Sequence, residues 1–529
     1  MRRKSSLATR SNNILRKIIL SVMMSASLSA GLPAQTVPSS EDFSIWLRTD
    51  NPVSIGINTM PDLGHTALGA KSVSGDFHKA MESGGIDSWD FRSSGYKSLK
   101  PLNLWGSFRF SQERHKERCW SDNIDPYNGN PYLTGSSLKG KYSCQMFDFS
   151  VKASSKPLFG FMWAGIGLDY SLGDFSRLQD PRPRTQEIDY SIKPGVAFRF
   201  GKEKIGLNLS YGYSKEKIGS YISKSKDAKE YFLYLQEGLG VYSTLVSSAY
   251  ERRIKSWKYG AALQYEHSFG DNSSFLAEVS PFHREDVVED AYKATPGNYK
   301  ETGGKISMVF HSGNWIAEGI FDFISGAAEK ISQKAVTVTD PVSGVTSTRY
   351  ETIFSIKSYT SGRMSGEAGL SYIVPDGDQW SGDKWNAGCK VGLNMLDDEY
   401  VYYSPASSFV CANIVPSVHG GGTIFSARKG RLTLEGEFAW SMNISDRYSI
   451  SDELQNKVIL DNVIDPDHEI LTSDFMRVSA DLRYEFPLTI SKTGKNLSGF
   501  ASLSASMCFV PGFQGSGRNI LGLSVGIIH

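Results

Sequence analysis

Three consecutive runs between Phe475 and His529 alternate apolar and polar residues with a period of two. In the first, Met476, Val478, Ala480, Leu482, Tyr484 and Phe486 share one face, against Arg477, Ser479, Asp481, Arg483 and Glu485 on the other. In the second, Leu497, Gly499, Ala501, Leu503, Ala505, Met507 and Phe509 oppose Ser498, Ser502, Ser504 and Ser506, with Phe500 the one apolar residue on the polar face. In the third, Leu521, Leu523, Val525 and Ile527 alternate with Gly522, Ser524 and Gly526. Period-two alternation is the signature of a β-strand, whose side chains point to opposite faces in turn. A soluble sandwich alternates too. Here, however, charge and polarity recur on the second face of strand after strand, and the pattern runs to the last residues. Lipid on one face and a polar lumen on the other would produce it.

The same pattern recurs upstream. Phe108 and Phe110 flank Arg109; Phe147, Phe149 and Val151 alternate with Asp148, Ser150 and Lys152. Ile166, Leu168 and Tyr170 oppose Gly167, Asp169 and Ser171, and Val196 and Phe198 oppose Arg199. Leu432, Leu434, Phe438 and Trp440 oppose Thr433, Glu435, Glu437 and Ser441. Between these runs, short turns near 154–156, 201–203, 270–273, 312–314, 376–378 and 428–430 alternate with long segments, roughly 114–142, 173–186, 216–256, 285–300, 328–352, 398–408 and 446–472. An up-and-down barrel has that asymmetry, with tight turns at one rim and loops at the other. The expected fold is all-β: a transmembrane antiparallel up-and-down β-barrel of about 16–18 strands, with short periplasmic turns and long extracellular loops.

Composition agrees. Aromatic residues make up 12 % of 529, glycine numbers 51, and the formal net charge of +1 offers no basic field for nucleic acid. Mean hydropathy is −0.29, as expected when only alternate strand residues meet lipid. Residues 1–34 read as a signal peptide: a basic start (Arg2, Arg3, Lys4, Arg10), a short apolar core from Ile18 to Leu28, and small residues before Gln35. Residues 35–62, interrupted by Pro38, Pro52 and Pro61, are expected in the periplasm or folded into the barrel mouth, and 63–529 form the barrel. Cys119 and Cys144 flank one long loop and are a disulfide candidate in an oxidising compartment; the alternative is two free thiols packed as small apolar residues.

Several short motifs in the first two hundred residues, in this order, carry a family resemblance: Gly75-Asp76-Phe77, Gly95-Tyr96, Trp105-Gly106-Ser107-Phe108-Arg109-Phe110, Asp125-Pro126-Tyr127, Asn130-Pro131-Tyr132 and Asp180-Pro181-Arg182-Pro183. Over about residues 45–200 the chain resembles an uncharacterised family of Bacteroidetes-type outer-membrane β-barrel proteins. The resemblance implies a signal peptide and an outer-membrane location in a Gram-negative bacterium, and no activity. The terminal His529 departs from the aromatic residue, commonly Phe, that usually ends such barrels.

Candidate binding residues fall into two groups. Arg109, Asp169, Arg199, Glu435, Glu437, Arg477, Asp481, Arg483 and Glu485 face the lumen, where mixed charge either sets ion preference or ties the wall together. Asp125, Tyr127, Tyr132, Asp180 and Arg182 lie on two long loops that would form a polar site if they met; prolines beside Asp180 and Arg182 equally suit a fixed loop shape. Aromatics between 216 and 256 (Tyr221, Tyr231, Phe232, Tyr234, Tyr242, Tyr250) suit either ligand stacking or a loop core. Gly522-Leu523-Ser524-Val525-Gly526 has GxSxG spacing but lies inside the last strand pattern rather than at a strand-to-helix turn, and no HExxH occurs; His283 and His468, near predicted extracellular ends with carboxylates nearby, are the candidates for hydrolysis at the outer rim. No catalytic residue, metal or cofactor is expected. The expected role is passage or surface binding of a small solute; the alternative is a non-conducting scaffold or partner of an outer-membrane transport or secretion complex, with a hydrolase third. Expected partners are outer-membrane lipid, the barrel-assembly machinery and a surface lipoprotein or transporter.

Overall fold

The computed structural model describes residues 45–58, 62–219, 221, 231–246, 250–270, 272–290, 293–339, 341, 344, 346–375, 383–427, 430–489 and 496–529. The expected signal peptide, 1–34, lies outside them, as do the turn near 376–378 and part of that near 428–430.

Eighteen strands form one closed antiparallel sheet. In chain order these are β1 (Leu63–Ser74), β2 (Gly85–Ser98), β3 (Leu102–Arg118), β5 (Gly140–Ser155), β6 (Met162–Arg177), β7 (Arg184–Phe200), β8 (Glu203–Gly219), β11 (Arg252–Ser268), β12 (Ser273–Asp290), β13 (Gly297–Ser312), β14 (Trp315–Thr339), β15 (Thr346–Pro375), β16 (Asp383–Tyr400), β17 (Ser407–Ala427), β18 (Gly430–Ser449), β19 (Phe475–Thr489), β20 (Asn496–Phe509) and β21 (Asn519–Ile528). Three small strands, β4 (Thr134–Gly135), β9 (Leu233–Gly238) and β10 (Val241–Leu245), pair separately. Each barrel strand pairs with its predecessor and successor, and β21 closes the ring on β1, from His65↔Ile528 to Ser74↔Asn519. One step beyond, Gly64 and His529 exchange backbone hydrogen bonds of 2.6 and 2.8 Å. The imidazole of His529 therefore ends a fully paired strand.

The outer wall is apolar. Leu68, Phe149, Leu263, Met308, Leu370, Val478 and Leu523, from strands all around the ring, are 43–55 % exposed. A continuous apolar belt on this scale is tolerable only in contact with lipid. Aromatic residues ring the short-turn end (Phe159, Phe161, Phe200, Phe269, Trp315, Trp385), and Trp89 and Trp440 stand toward the other. The inner face carries the polar partners of each alternation. Phe500, the apolar residue on the polar face of β20, is 1 % exposed: its ring stacks on His65 with centroids 5.1 Å apart, and the Arg483 guanidinium lies 4.1 Å from its centre.

Strands run further than their alternation shows. The expected loop 328–352 is mostly strand: β14 and β15 pair from Trp315↔Tyr372 out to Thr339↔Thr346. Pairing with β13 stops at Lys330, and pairing with β16 stops at Tyr359. The remainder projects as a two-stranded ribbon. Segments 173–186 and 285–300 are likewise largely strand, joined by short connections. Beyond the lipid belt both faces of a strand meet water or loops, so the period-two signal fades while the backbone pairing continues.

Candidate functional site

Two stretches of the chain fold into the barrel, one near each rim, and dock on its inner wall. At the short-turn end, residues 45–58 cross the lumen. The Trp46 side chain is 1 % exposed and packs with Val53 on Trp163, Ala197, Leu276, Val309 and Ile316 of the inner wall. Its indole N–H donates to the Glu266 carboxylate, which also pairs with Lys204 at 2.6 Å. Asn51 Nδ2 donates to Gln264 Oε1 at 2.9 Å, and Gln264 Nε2 donates on to Glu278 at 2.7 Å. Arg48 pairs with Glu318 on β14, and the Tyr96 hydroxyl of β2 donates to the Ile55 carbonyl at 3.3 Å. The segment is thus held by walls far apart on the ring.

At the long-loop end, the connection 119–139 folds inward. Asp122 is 1 % exposed; it accepts from the hydroxyls of Tyr142 (2.7 Å) and Tyr221 (3.0 Å), while Thr185 donates to its carbonyl at 2.6 Å. Burial pushes its carboxyl above the usual range, against the two tyrosine hydrogen bonds. Asn123 Nδ2 and the Ile124 N–H both donate to Glu216 of β8 at 2.7 Å. Asn130 donates to Asp286 of β12 at 2.9 Å, and the Tyr132 hydroxyl to the Glu329 carbonyl of β14 at 2.7 Å. Gly297 leaves the room that Tyr132 occupies: a Cβ there would lie 2.1 Å from the ring carbon Cζ. Around this loop, Arg252 pairs with Asp290 at 2.8 Å, and Glu301 receives Arg284 at 3.1 Å and Arg363 at 2.7 Å.

Two further pieces complete this closure. The β9–β10 hairpin pairs with β4, Gln236 donates to the Trp120 carbonyl at 2.9 Å, and Lys330 of β14 pairs with Glu237 at 2.7 Å. The helix Asp465–Thr472 supplies Asp467, which accepts from the Ala80 N–H at 2.6 Å and the Tyr127 hydroxyl at 2.8 Å. Asp467 therefore latches three connections together: 75–84, 119–139 and 450–474. Burial pushes its carboxyl up to about 7, opposed by those hydrogen bonds. The Gly75-Asp76-Phe77 motif sits beside it. Gly75, at φ +124°, passes the Gly517 carbonyl where a Cβ would be 1.7 Å away; Asp76 accepts from the Ser516 hydroxyl at 2.8 Å; Phe77 is buried against Ile470 and Phe513.

Between the closures lies a solvated layer. Inward-facing Arg477 and Glu437, 4.0 Å apart, have side chains 38 % and 36 % exposed, and Asp169 is 44 % exposed beside Lys193 at 3.1 Å. Arg109 also faces inward and is exposed, opposite Asp148 in register. Glu435 stands opposite Asp481 across β18 and β19. Nearer the short-turn rim Arg483 pairs with Glu485 at 2.7 Å, both largely buried, while Arg199 is exposed at the rim and donates to the Gly160 carbonyl at 2.8 Å.

The two loops do meet, but through Thr185 and Arg177 rather than through the expected pair. Arg177 donates to Ser136 Oγ and the Leu138 carbonyl, both at 2.9 Å. Asp180 and Arg182 pair with each other at 2.7 Å within their own connection, and Asp125 accepts from the Tyr127 N–H at 3.0 Å. Cys119 and Cys144 are free, not bonded. Cys119 packs with Met81 and Trp120, and Cys144 with Tyr142 and Phe175, so the two thiols belong to different clusters. The aromatics of 216–256 chiefly build the loop core: Tyr221 and Tyr250 are buried, and Tyr234 packs on Trp120 and Tyr242. His283 is half-buried on the outer wall, bonded to Thr302 at 2.9 Å. His468 stacks on Tyr448, with Asp446 at 2.8 Å. Asp122, Glu216, Glu301 and Asp467 escape sequence reading because their partners are distant in the chain. Leu276, Val309 and Ile316, apolar in the polar phase of their strands, are the one sequence signal of an internal plug.

The whole barrel and the second half of its N-terminal closure, residues 52–529, match one family model. The chain belongs to a family of unknown function (DUF6850). The match extends well beyond the stretch that carries the motif resemblance. A search of curated proteins finds no match. Solved structures similar to the chain include the copper transporter OprC (9 % identity, TM-score 0.38, covering 89 % of this chain and 82 % of that one). Another is the FrpB iron transporter from Neisseria meningitidis (8 %, 0.36, 91 % and 84 %). A third is the CymD monoaromatic hydrocarbon channel (9 %, 0.31, 96 % and 97 %). At TM-scores this low the likeness does not bear on function. The protein is a β-barrel of the outer-membrane type.

Proposed function

We propose that this DUF6850 protein passes a small polar solute through a barrel that is closed at rest. The carrying observation is the solvated, mixed-charge layer around Arg477, Glu437 and Asp169, enclosed between the 45–58 segment and the 119–139 closure. A barrel serving only as a wall has no need of water-exposed charges facing inward. Mixed sign favours a polar neutral or zwitterionic solute over a simple anion or cation. Passage requires both closures to shift. The motif resemblance supports a Bacteroidetes-type outer membrane, with its lipid and barrel-assembly machinery as partners.

The runner-up, a non-conducting scaffold that engages a surface lipoprotein or transporter, draws on a different observation: Arg252 and Arg284, ion-paired on the wall with Asp290 and Glu301, donate to the Leu133 and Asn128 carbonyls of the outer closure at 3.3 and 3.5 Å. Vesicle swelling separates the two. A variant lacking residues 45–58 and 121–133, folded into vesicles, should admit small sugars. If it folds as a barrel yet excludes them, the passage reading fails and the scaffold stands.

A further inference from the structure

One cluster of metal-ligand side chains among the described residues, Glu113, His115 and Cys144, lies on the wall beside the outer closure and meets connection 75–84 through Ser83. Glu113 and His115 are two apart on β3 and so share its inner face. Cys144 is the β5 residue directly opposite Glu113 in register. One ligand atom from each lies within 4.8 Å of the others. Cys144 and His115 are buried, at 4 % and 8 % exposure, whereas the Glu113 side chain keeps 22 %. The trio is therefore closed on the wall side and open at Glu113.

The surroundings fix the imidazole. Nε2 lies 3.0 Å from Glu113 Oε2, and Nδ1 lies 2.9 Å from Ser83 Oγ. The Phe175 ring packs edge-on at 5.4 Å. Arg118, whose guanidinium lies 4.5 Å from the centre of the Phe175 ring, is engaged with the Ile124 carbonyl at 3.2 Å. A hydrogen-bonded His–Glu pair alone would be a common structural device. A free thiol placed against both, with the second ring nitrogen held by a hydroxyl, is the donor set of a metal site.

We propose that Glu113, His115 and Cys144 bind a borderline-soft divalent cation of the zinc class, with Ser83 orienting His115. Thiolate, imidazole and carboxylate together suit that class better than a hard cation such as calcium or magnesium. Three protein ligands leave a fourth position for water on the open side. The protons balance as follows. The Cys144 thiol loses its proton to solvent as the sulfur–metal bond forms. The neutral His115 ring exchanges its Nε2 proton, facing Glu113, for one on Nδ1, where it donates to Ser83 Oγ, with no net proton change. The Glu113 carboxylate is already ionised. One proton is released per metal bound.

Cobalt(II), which reports thiolate ligation in its absorption, is the probe. Folded protein stripped with a chelator is titrated with cobalt and then zinc in weak buffer. The expected result is one equivalent bound, a thiolate-to-cobalt charge-transfer band, one proton released, and displacement by zinc. Cys144→Ser, checked for folding by heat-modifiable gel migration, should lose the band. Ser83→Ala should keep it but bind about 10–100-fold more weakly. If Cys144→Ser does not fold, Glu113→Gln replaces it, with the band kept and affinity at least about tenfold lower. Absence of the band in the folded parent overturns the proposal. So does a band that persists in folded Cys144→Ser, or unchanged affinity in Glu113→Gln.

Discussion

Replacing Asp467 by Asn should weaken the pH dependence of the outer closure. Asp467 is buried and its carboxyl is pushed up to about 7, whereas an unfolded aspartate titrates near 3.9. The folded pKa is raised, so the folded latch holds its proton over a range in which the unfolded or undocked carboxyl has lost it. Its stabilisation is therefore full below about pH 4 and is lost as pH rises toward and through about 7. A displacement of roughly three units at 1.36 kcal/mol each sets an upper bound of roughly 4 kcal/mol. The assay is hydrogen exchange, or limited proteolysis, of residues 119–139 in folded protein between pH 5 and 8. The parent should become progressively less protected as pH rises. Asp467→Asn keeps an acceptor for the Ala80 N–H and offers an amide toward Tyr127, so its protection should fall less steeply with pH than the parent's once intrinsic exchange is corrected, the buried Asp122 supplying the remainder. A variant with the parent's slope would refute the assignment of that slope to Asp467.

Three other outcomes follow from the same geometry. Gly297→Ala places a methyl 2.1 Å from the Tyr132 ring, so protease cleavage within 119–139 should increase while the barrel still shows heat-modifiable migration. Trp46→Ala removes a fully buried side chain from the inner closure and should cost about 3–5 kcal/mol in the docking of that segment, read as increased exchange of residues 45–58. Deleting residues 332–354 and joining the ends with a short turn should leave urea unfolding of the barrel unchanged, because this ribbon pairs with neither β13 nor β16; a lower midpoint would show that the ribbon supports the wall.

What the sequence showed clearly was the part of each strand that touches lipid. Leu482 and Leu503 must face tails while Asp481 and Ser504 must not, and that opposition writes itself into every second residue. Above the belt the opposition disappears, which is why the β14–β15 ribbon reads as a loop and the connection 178–183 reads as longer than it is. Pro52 and the polar residues around it suggested a segment at the mouth, but its seat was hidden in Leu276, Val309 and Ile316, each of which looks like a slip in an alternation. The outer closure was less legible still. Tyr127 and Tyr132 stood out as loop residues, yet Tyr127 finds Asp467 some 340 positions away, and no local pattern encodes such a meeting. The polar lining at Arg483 and Glu485 could be assigned to the inner face by parity; only the register across β19 and β20 shows Arg483 covering Phe500.

Closure of the lumen at both ends is the point on which the account rests, and electrical recording of the unaltered protein in planar bilayers tests it most directly. Folded, inserted parent protein is predicted to carry no steady current across a range of potentials. A steady, ohmic conductance from the parent would show that the 45–58 and 119–139 segments do not close the barrel, and would contradict the account.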